Sequence, residues 1–411
     1  MCRFRVCAST SVEIVRVVRD MPSPESEELL HVVTDIAARE LRPRAAEDER
    51  NGRFPRDIFR LLGGIGLLGL PYPARYGGGE QPAVAYLQIL EELSRAWLTV
   101  GLGVSVHLLA CYPLARFGTD EQRDRWLPAM IGGGLLGAYC LSEPHAGSDA
   151  AALRTQAEPT AAGYRLSGTK AWITHGGHAD FYTVMARTSP DHDHGISCFL
   201  VPADAPGLQA GVPERKMGLR ASPTAQLHLA DVVVEPSRRI GAEGEGLRIA
   251  LAALDVGRLG IAACATGLAQ AALDAAVDYA AQRHQFGRPI REFQGVAFLL
   301  AEMTAAVAAA RATYLAAARS LDAGRVVTRD AAIAKLICSD TAMRVTTDAI
   351  QIFGGAGYVE DYPVERYFRE AKALQIVEGT NQIQRLVIAR TLGRDTADDV
   401  PTGHPRRITA G

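Results

Sequence analysis

Among the 411 residues no Cys-x-x-Cys pair occurs, and no cluster of cysteine with histidine. The seven cysteines stand apart at 2, 7, 111, 140, 198, 264 and 338. No metal centre or disulfide framework is therefore expected, and reduced thiols in a cytoplasmic protein are. Neither sign of charge dominates: 44 basic residues face 46 acidic ones, which leaves no electrostatic footprint for nucleic acid. No G-x-G-x-x-G opens a helix after a strand and no G-x-x-x-x-G-K-[ST] is present, so both common nucleotide loops are missing. No internal repeat emerges. Long uncharged runs are also scarce. The segment "AWLTVGLGVSVHLLACYPLA" (96–115) spans twenty residues between Arg95 and Arg116, long enough for a bilayer. His107, the Tyr112-Pro113 pair and the charged flanks argue for a buried core helix, and no membrane association is expected. The N-terminus has basic residues but no apolar core or cleavage site, so no secretory signal is expected.

What is there falls into three blocks. Residues 25–137 carry apolar positions at spacings of three and four, the period of helices. Pro43 reads as the end of the first helix, and Thr119 as the cap of a later one. Residues 138–241 switch to short alternating runs broken by Gly, Pro and Asp, the pattern of a small β domain; "GYRLSGTKAWITHG" reads as a hairpin around Ser-Gly. Residues 242–394 return to long Ala- and Leu-rich helices over 245–283, 292–323 and 328–353, with another after Thr380, which indicates a bundle. Residues 1–24 read as a disordered extension and 395–411 as a disordered tail. The fold class is α+β with segregated layers.

Four stretches carry chemistry. In "LQIVEGTNQIQRLVI" (374–388) one carboxylate, Glu378, sits among Leu374, Ile376, Val377 and Ile383. Charged side chains are rarely surrounded by apolar ones unless paired or put to use. "YCLSEPHAGSDA" (139–150) offers backbone donors at Ser142, Gly147 and Ser148, or is a capped turn into a strand. "KAWITHGG" (170–177) sets Trp172 and Thr174 on one strand face; they suit a flat heteroaromatic ligand, or Trp172 is a core residue. "RHQFGRP" (283–289) ends a helix at Arg283, which either serves the helix dipole or binds phosphate with its planar fork.

The ordered set "YCLSEPHAGSD", "WITHGG", "LDVGRLGIA", "RHQFGRPI", "QIFGGAGY" and "IVEGTNQIQ" resembles the acyl-CoA dehydrogenase family over residues 25–394. The resemblance implies an N-terminal helical domain, a middle β-barrel and a C-terminal four-helix bundle. It implies FAD, held by Tyr139, Leu141, Ser142, Ser148, Trp172 and Thr174, and by Thr380 and Gln382 after the base. Arg283, Phe286, Gln294, Gln351 and Gly355 match positions that grip the FAD of a neighbouring subunit, implying a homo-oligomer, a dimer of dimers. Ser148, Asp255, Arg258 and Gly379 match contacts to the acyl-CoA substrate, and Glu378 matches the base that removes the α-proton. The β-hydrogen then leaves as hydride to flavin N5, giving a trans-2-enoyl thioester. An electron-transferring flavoprotein is the implied acceptor. A few relatives carry the base in the helix of "LDVGR", where this chain has Gly257. Three positions depart from the pattern: His145 where Gly is common, His175 where Asn is common, and Val377 where Tyr is usual. Two alternatives stand beside this reading, a dehydrogenase of acyl groups tethered to a carrier protein, and a non-catalytic helical-bundle binding protein.

Overall fold

The computed structural model describes residue 17, residues 19–192 and residues 194–392. Six helices form the first block: α1 (Pro24–Ile36), α2 (Arg42–Asn51), α3 (Arg56–Gly64), α4 (Ala83–Ala96), α5 (Leu98–Phe117) and α6 (Asp120–Ile131). Pro43 does not end a helix. A π-turn over Ala37–Leu41 carries α1 into α2, and Pro43 follows directly on that widened turn, which accommodates a residue without an N–H inside a continuous helix. Thr119 caps α6 in a capping box with Gln122. The twenty-residue run lies in α5, which is buried among the other helices as expected of a core helix. Of the stretch 1–24, residues 1–16 and 18 lie outside the described residues. Its end is not loose: Arg19 pairs with Glu91 and Glu92 of α4 at 2.7 and 2.8 Å, and the Asp20 N–H donates to Gln88.

The middle block is β1 (Gly137–Cys140), β2 (Gln156–Thr160), β3 (Gly163–Thr174), β4 (Phe181–Arg187), β5 (Ile196–Pro202), β6 (Leu208–Ala210), β7 (Thr224–Val234) and β8 (Arg239–Ile240). The strands lie in the order β6-β7-β3-β2-β4-β5-β8, with β1 parallel to β4. No ladder joins β6 to β8 among the described residues, so the barrel expected here is an open one. Ser167-Gly168 does not form the expected hairpin turn. The chain turns earlier, between Thr160 and Gly163, and β3 runs on through Gly168 as a bulge against β7.

The last block is α7 (Gly246–Gln282), a small hairpin of β9 (His284–Gln285) and β10 (Arg288–Pro289), α8 (Gln294–Asp322), α9 (Thr328–Phe353), α10 (Val364–Leu374) and α11 (Asn381–Thr391). The two helical blocks, though separated in sequence by the β domain, share one apolar core, and the β domain has its own. The long axis of that shared core is α7, packed on α4, α5, α8 and α9. Gly260 of α7 lies so close to α5 that a Cβ there would stand 2.2 Å from Ser105 Oγ. Charge is buried at the joint only in company: Glu91 of α4 accepts from Arg311 at 2.7 Å and from the Tyr314 hydroxyl at 2.5 Å, both on α8. The tail 395–411 lies outside the described residues.

Candidate active site

The turn between α10 and α11 carries Glu378 at φ +53° and Gly379 at φ +89°, two successive residues in the left-handed region. Such backbone persists only where its surroundings dictate it. Here the Gly379 carbonyl accepts from Lys335 Nζ at 2.9 Å and from Gln384 Nε2 at 2.8 Å. Thr380 caps α11 through the Ile383 N–H. The turn aims the Glu378 side chain inward. Both carboxylate oxygens are buried and neither has a hydrogen-bond partner among the described residues. Facing them is Gly257 of α7, whose missing Cβ would stand 2.2 Å from Oε2 and 3.2 Å from Leu109 Cδ1. Burial pushes the Glu378 carboxyl up to about 7, and the Lys335 and Arg258 cations hold it from rising further.

Asp255, two residues back along α7, is a different kind of carboxylate. It accepts from Arg258 Nη1 at 2.6 Å and from the Thr328 hydroxyl at 2.5 Å, so its oxygens are engaged. Burial raises it, while Thr328 and Arg258 pull it down. Of the two acids in this pocket only Glu378 is left without a partner.

The β wall adjoins this pocket through Tyr139 of β1, which is half-buried and donates to the Ala250 carbonyl of α7 at 3.3 Å. After β1, Leu141 is buried, Ser142 half-buried and Ser148 exposed. This loop is held from behind by a buried ion pair, Lys170 to Glu143 at 2.8 Å, with Glu143 also accepting from the Arg154 and Thr155 N–H groups. His145 reaches the same carboxylate at 3.5 Å. Ala171 N donates to the Ser142 carbonyl, fixing the loop beside β3. Next to it, a bulge with φ +62° turns Trp172 outward. Its indole is 63% exposed while Ile173 is buried and Thr174 half-buried, so the core reading of Trp172 fails. A large aromatic face left open to solvent fits a flat cofactor ring.

His175, the neighbouring departure, points away from that face. It is buried against Phe54 and Phe59, and its Nδ1 donates to the Gly137 carbonyl at 3.0 Å. His107 of α5 accepts from the Gly137 N–H at 2.9 Å. Two buried histidines thus hold one residue, Gly137, at the start of β1. Burial lowers both, to about 4 for His175 and about 3 for His107, so they are neutral. Val377 packs half-buried on the helical core.

The remaining expected residues form a separate group. Arg283, Phe286, Gln294, Gln351 and Gly355 are all exposed, Phe286 by 93% and with φ +53°. Between Asp255 and Arg283 lie 28 steps of almost unbroken helix (283 − 255), roughly 42 Å at about 1.5 Å per residue. The second group is therefore remote from the first within one chain. Gln382, on the outer side of α11, is exposed as well. Lys335, Gln384, Asn381, Lys170 and Glu143 were not read from the sequence. A lone lysine among apolar residues in "AAIAKLICSD" was the available signal for Lys335.

Family models match the chain in three consecutive parts: "Acyl-CoA dehydrogenase, N-terminal domain" over residues 23–134, "middle domain" over 138–232 and "C-terminal domain" over 244–393. The acyl-CoA dehydrogenase of Bacillus subtilis (strain 168) is 45% identical over 88% of this chain and 96% of its own length. The short-chain specific acyl-CoA dehydrogenase of Clostridium acetobutylicum is 41% identical over 90% and 98%. Butyryl-CoA dehydrogenase from Megasphaera elsdenii superposes with a TM-score of 0.89 at 40% identity, covering 92% of this chain and 100% of that one. A chain solved with the electron transferring flavoprotein of Acidaminococcus fermentans as its subject gives 0.89 and 40%, covering 91% and 99%. The prolyl acyl carrier protein oxidase AnaB is more distant at 32% identity and TM-score 0.87, covering 90% and 100%, and an FAD complex of PigA lies at 30% and 0.87, covering 92% and 99%.

Proposed function

The chain belongs to the acyl-CoA dehydrogenase family, and from that premise we propose the residues by which it oxidises an acyl-CoA to the trans-2-enoyl thioester. The enzyme is an FAD-dependent oxidoreductase acting on CH–CH groups. Glu378 is the base. The observation that carries this is its buried carboxylate with both oxygens unpartnered, opposite a glycine that leaves room for them. A carboxyl near 7 is ionised enough at neutral pH to accept the α-proton, and basic enough to hold it. Asp255, tied to Arg258 and Thr328, orients that arginine along the substrate channel instead. The N–H of Glu378 is the protein's donor to the thioester carbonyl, where negative charge develops as the proton leaves.

Trp172 and Thr174 would hold FAD, with Tyr139, Leu141, Ser142, Ser148, Thr380 and Gln382 as further contacts, and the bound cofactor would supply the acceptor for the β-hydride. Arg283, Phe286, Gln294, Gln351 and Gly355 serve the FAD of a second subunit. Their distance from the first group supports this, because one cofactor does not span both within a chain. The apolar helix α8, largely uncovered in the single chain, supports a dimer paired into a tetramer. Electrons pass on to an electron-transferring flavoprotein, a reading that a solved neighbour described in those terms supports. Buried, unpaired cysteines among the described residues support a cytoplasmic setting.

The acyl group is short. Gly257 faces the base, and Gly260, one turn deeper along the buried part of α7, touches Ser105. The short-chain and butyryl-CoA relatives support a short acyl chain, with the Gly260–Ser105 contact as the candidate floor of the pocket. The test is a series of butyryl-, octanoyl- and palmitoyl-CoA with an artificial electron acceptor. Butyryl-CoA is expected to give the highest kcat/KM; a maximum at palmitoyl-CoA overturns the assignment of the floor. Running butyryl groups on a carrier protein in parallel separates the runner-up. Faster turnover of the tethered thioester decides for the carrier.

A further inference from the structure

Among the described residues Lys335 is the one buried cation near the base that the mechanism above does not use. It lies on α9 at 0% exposure, in a helix face otherwise made of Ala331, Ala334, Cys338 and Ala342. Taking an ammonium out of water is costly unless it is bonded or needed. Its Nζ donates to the Gly379 carbonyl at 2.9 Å and to Asn381 Oδ1 at 2.8 Å. Asn381 is in turn fixed by Ser339 at 2.9 Å and Asp340 at 2.7 Å, so Lys335 joins a rigid polar brace under the left-handed turn.

Neutral donors would satisfy a carbonyl and an amide oxygen equally well. Among the described residues no carboxylate lies in ion-pair contact with Lys335. The nearby Asp340 is occupied by Asn381, by Gln375 at 2.6 Å and by Arg385 at 3.2 Å. The ammonium is held on the Gly379 carbonyl, one residue from the base, and its charge acts on a Glu378 carboxylate that has no hydrogen bond among the described residues.

Resting on the reading of Glu378 as base, we propose that Lys335 is a positioning residue for it. The ammonium holds the Gly379 carbonyl, and with it the turn that aims the carboxylate, while its charge favours the ionised, proton-accepting form. The other groups facing Glu378 are Arg258 and Cys264 of α7 and Tyr139 of β1. Arg258 acts in the same direction but is shared with Asp255. Cys264 and Tyr139 are pushed up by burial and remain uncharged. Burial lowers Lys335 itself to about 8, and the Glu378 carboxylate pulls it back up, so the two charges support each other.

The test compares holoenzyme carrying Lys335→Gln, which keeps a donor and loses the charge, with Lys335→Arg, which keeps both. Two readouts are taken against pH: the rate of flavin bleaching by butyryl-CoA in single turnover, and the infrared titration of the Glu378 carboxyl, its band identified by its loss in Glu378→Gln. Loss of an opposite charge nearby moves a carboxyl by about one unit or more. Lys335→Gln is therefore expected to move both midpoints up by about one pH unit, and Lys335→Arg to restore them. An unmoved infrared midpoint in a folded Lys335→Gln protein overturns the proposal, as does a shift that Lys335→Arg fails to reverse. If Lys335→Gln does not fold, Lys335→Met paired with Lys335→Arg decides by the same midpoints; loss of folding in every uncharged variant with normal titration in Lys335→Arg reduces Lys335 to a structural brace and overturns the catalytic part. Bleaching by Glu378→Gln at the wild-type rate would instead remove Glu378 as base, a separate result.

Discussion

Gly257 and Glu378 meet across the active-site pocket so closely that a single methyl group on α7 would stand 2.2 Å from the carboxylate oxygen. No hydrogen bond holds that oxygen, so the carboxylate rather than the helix backbone must give way. Gly257→Ala is expected to fold normally, since alanine favours a helix interior over glycine. The displaced base should slow flavin reduction by about 10²-fold, the scale of an ångström-sized misplacement. Stopped-flow bleaching with butyryl-CoA measures it, and a wild-type rate would mean the carboxylate has room that the packing denies.

Glu378→Gln separates chemistry from stability. The variant should retain flavin and bind acyl-CoA, yet lose about 10²–10⁴-fold in flavin reduction. Its stability should move the other way. Because the folded carboxyl is raised to about 7 from its ordinary 4.5, the unfolded chain loses its proton first. The stability this group contributes is present below about 4.5 and is lost as pH rises toward 7. Above that pH Glu378→Gln should therefore melt at the same or a higher temperature than wild type. Differential scanning calorimetry on matched holoenzymes tests this, and a lower Tm at alkaline pH would mean the carboxylate is stabilised by contacts not seen around it.

Glu378 was legible because an acid in an apolar run is conspicuous, and because the turn "EGT" and its distant partners occur in a fixed order. The three blocks were legible because the period of the apolar residues changes near 138 and again near 242. Lys335 was not, since a lysine in a helix usually reads as a solvated one, and only the packing of α9 against the turn buries it. Lys170 and Glu143 escaped for the same reason: 27 residues apart, they meet only once β3 folds beside the loop. In β3 the alternation rule kept Trp172 and Thr174 on one side, but it could not distinguish an indole in the core from one that a bulge turns outward. The helix α10 carries Val364, Tyr367, Ala371 and Leu374 at spacings of three and four, a signal that was present and short.

His175 gives an acid-side prediction. It is neutral in the fold, lowered by burial to about 4 from its ordinary 6.5, and it donates to the Gly137 carbonyl. Below about 6.5 the unfolded chain takes up the proton first, so this contribution is lost as pH falls toward 4. His175→Asn should flatten that acid-side fall in Tm, while other groups cancel in the comparison with wild type. A parallel fall in both proteins would show that His175 does not titrate with unfolding.

Arg283 tests whether the two groups of residues belong to different subunits. It follows the end of α7 in exposed backbone, about 42 Å of helix away from Asp255. If it holds the pyrophosphate of a neighbouring subunit's FAD, Arg283→Ala loses a charge-assisted contact worth roughly 1.5–3 kcal/mol, or about 10- to 150-fold in affinity. FAD should then dissociate on dilution and the Tm should fall, because flavin binds only the folded protein. The sharper experiment mixes two defects. Arg283→Ala subunits keep Glu378, and Glu378→Gln subunits keep Arg283, so each homo-oligomer has only impaired sites. Co-expressed, a mixed dimer has one site in which an intact arginine from one chain meets an intact base from the other. Recovery of a fraction of the wild-type flavin-reducing activity is expected in the mixture and in neither parent. No recovery, with mixed dimers demonstrated by mass spectrometry, would put Arg283 on its own subunit's cofactor or on none.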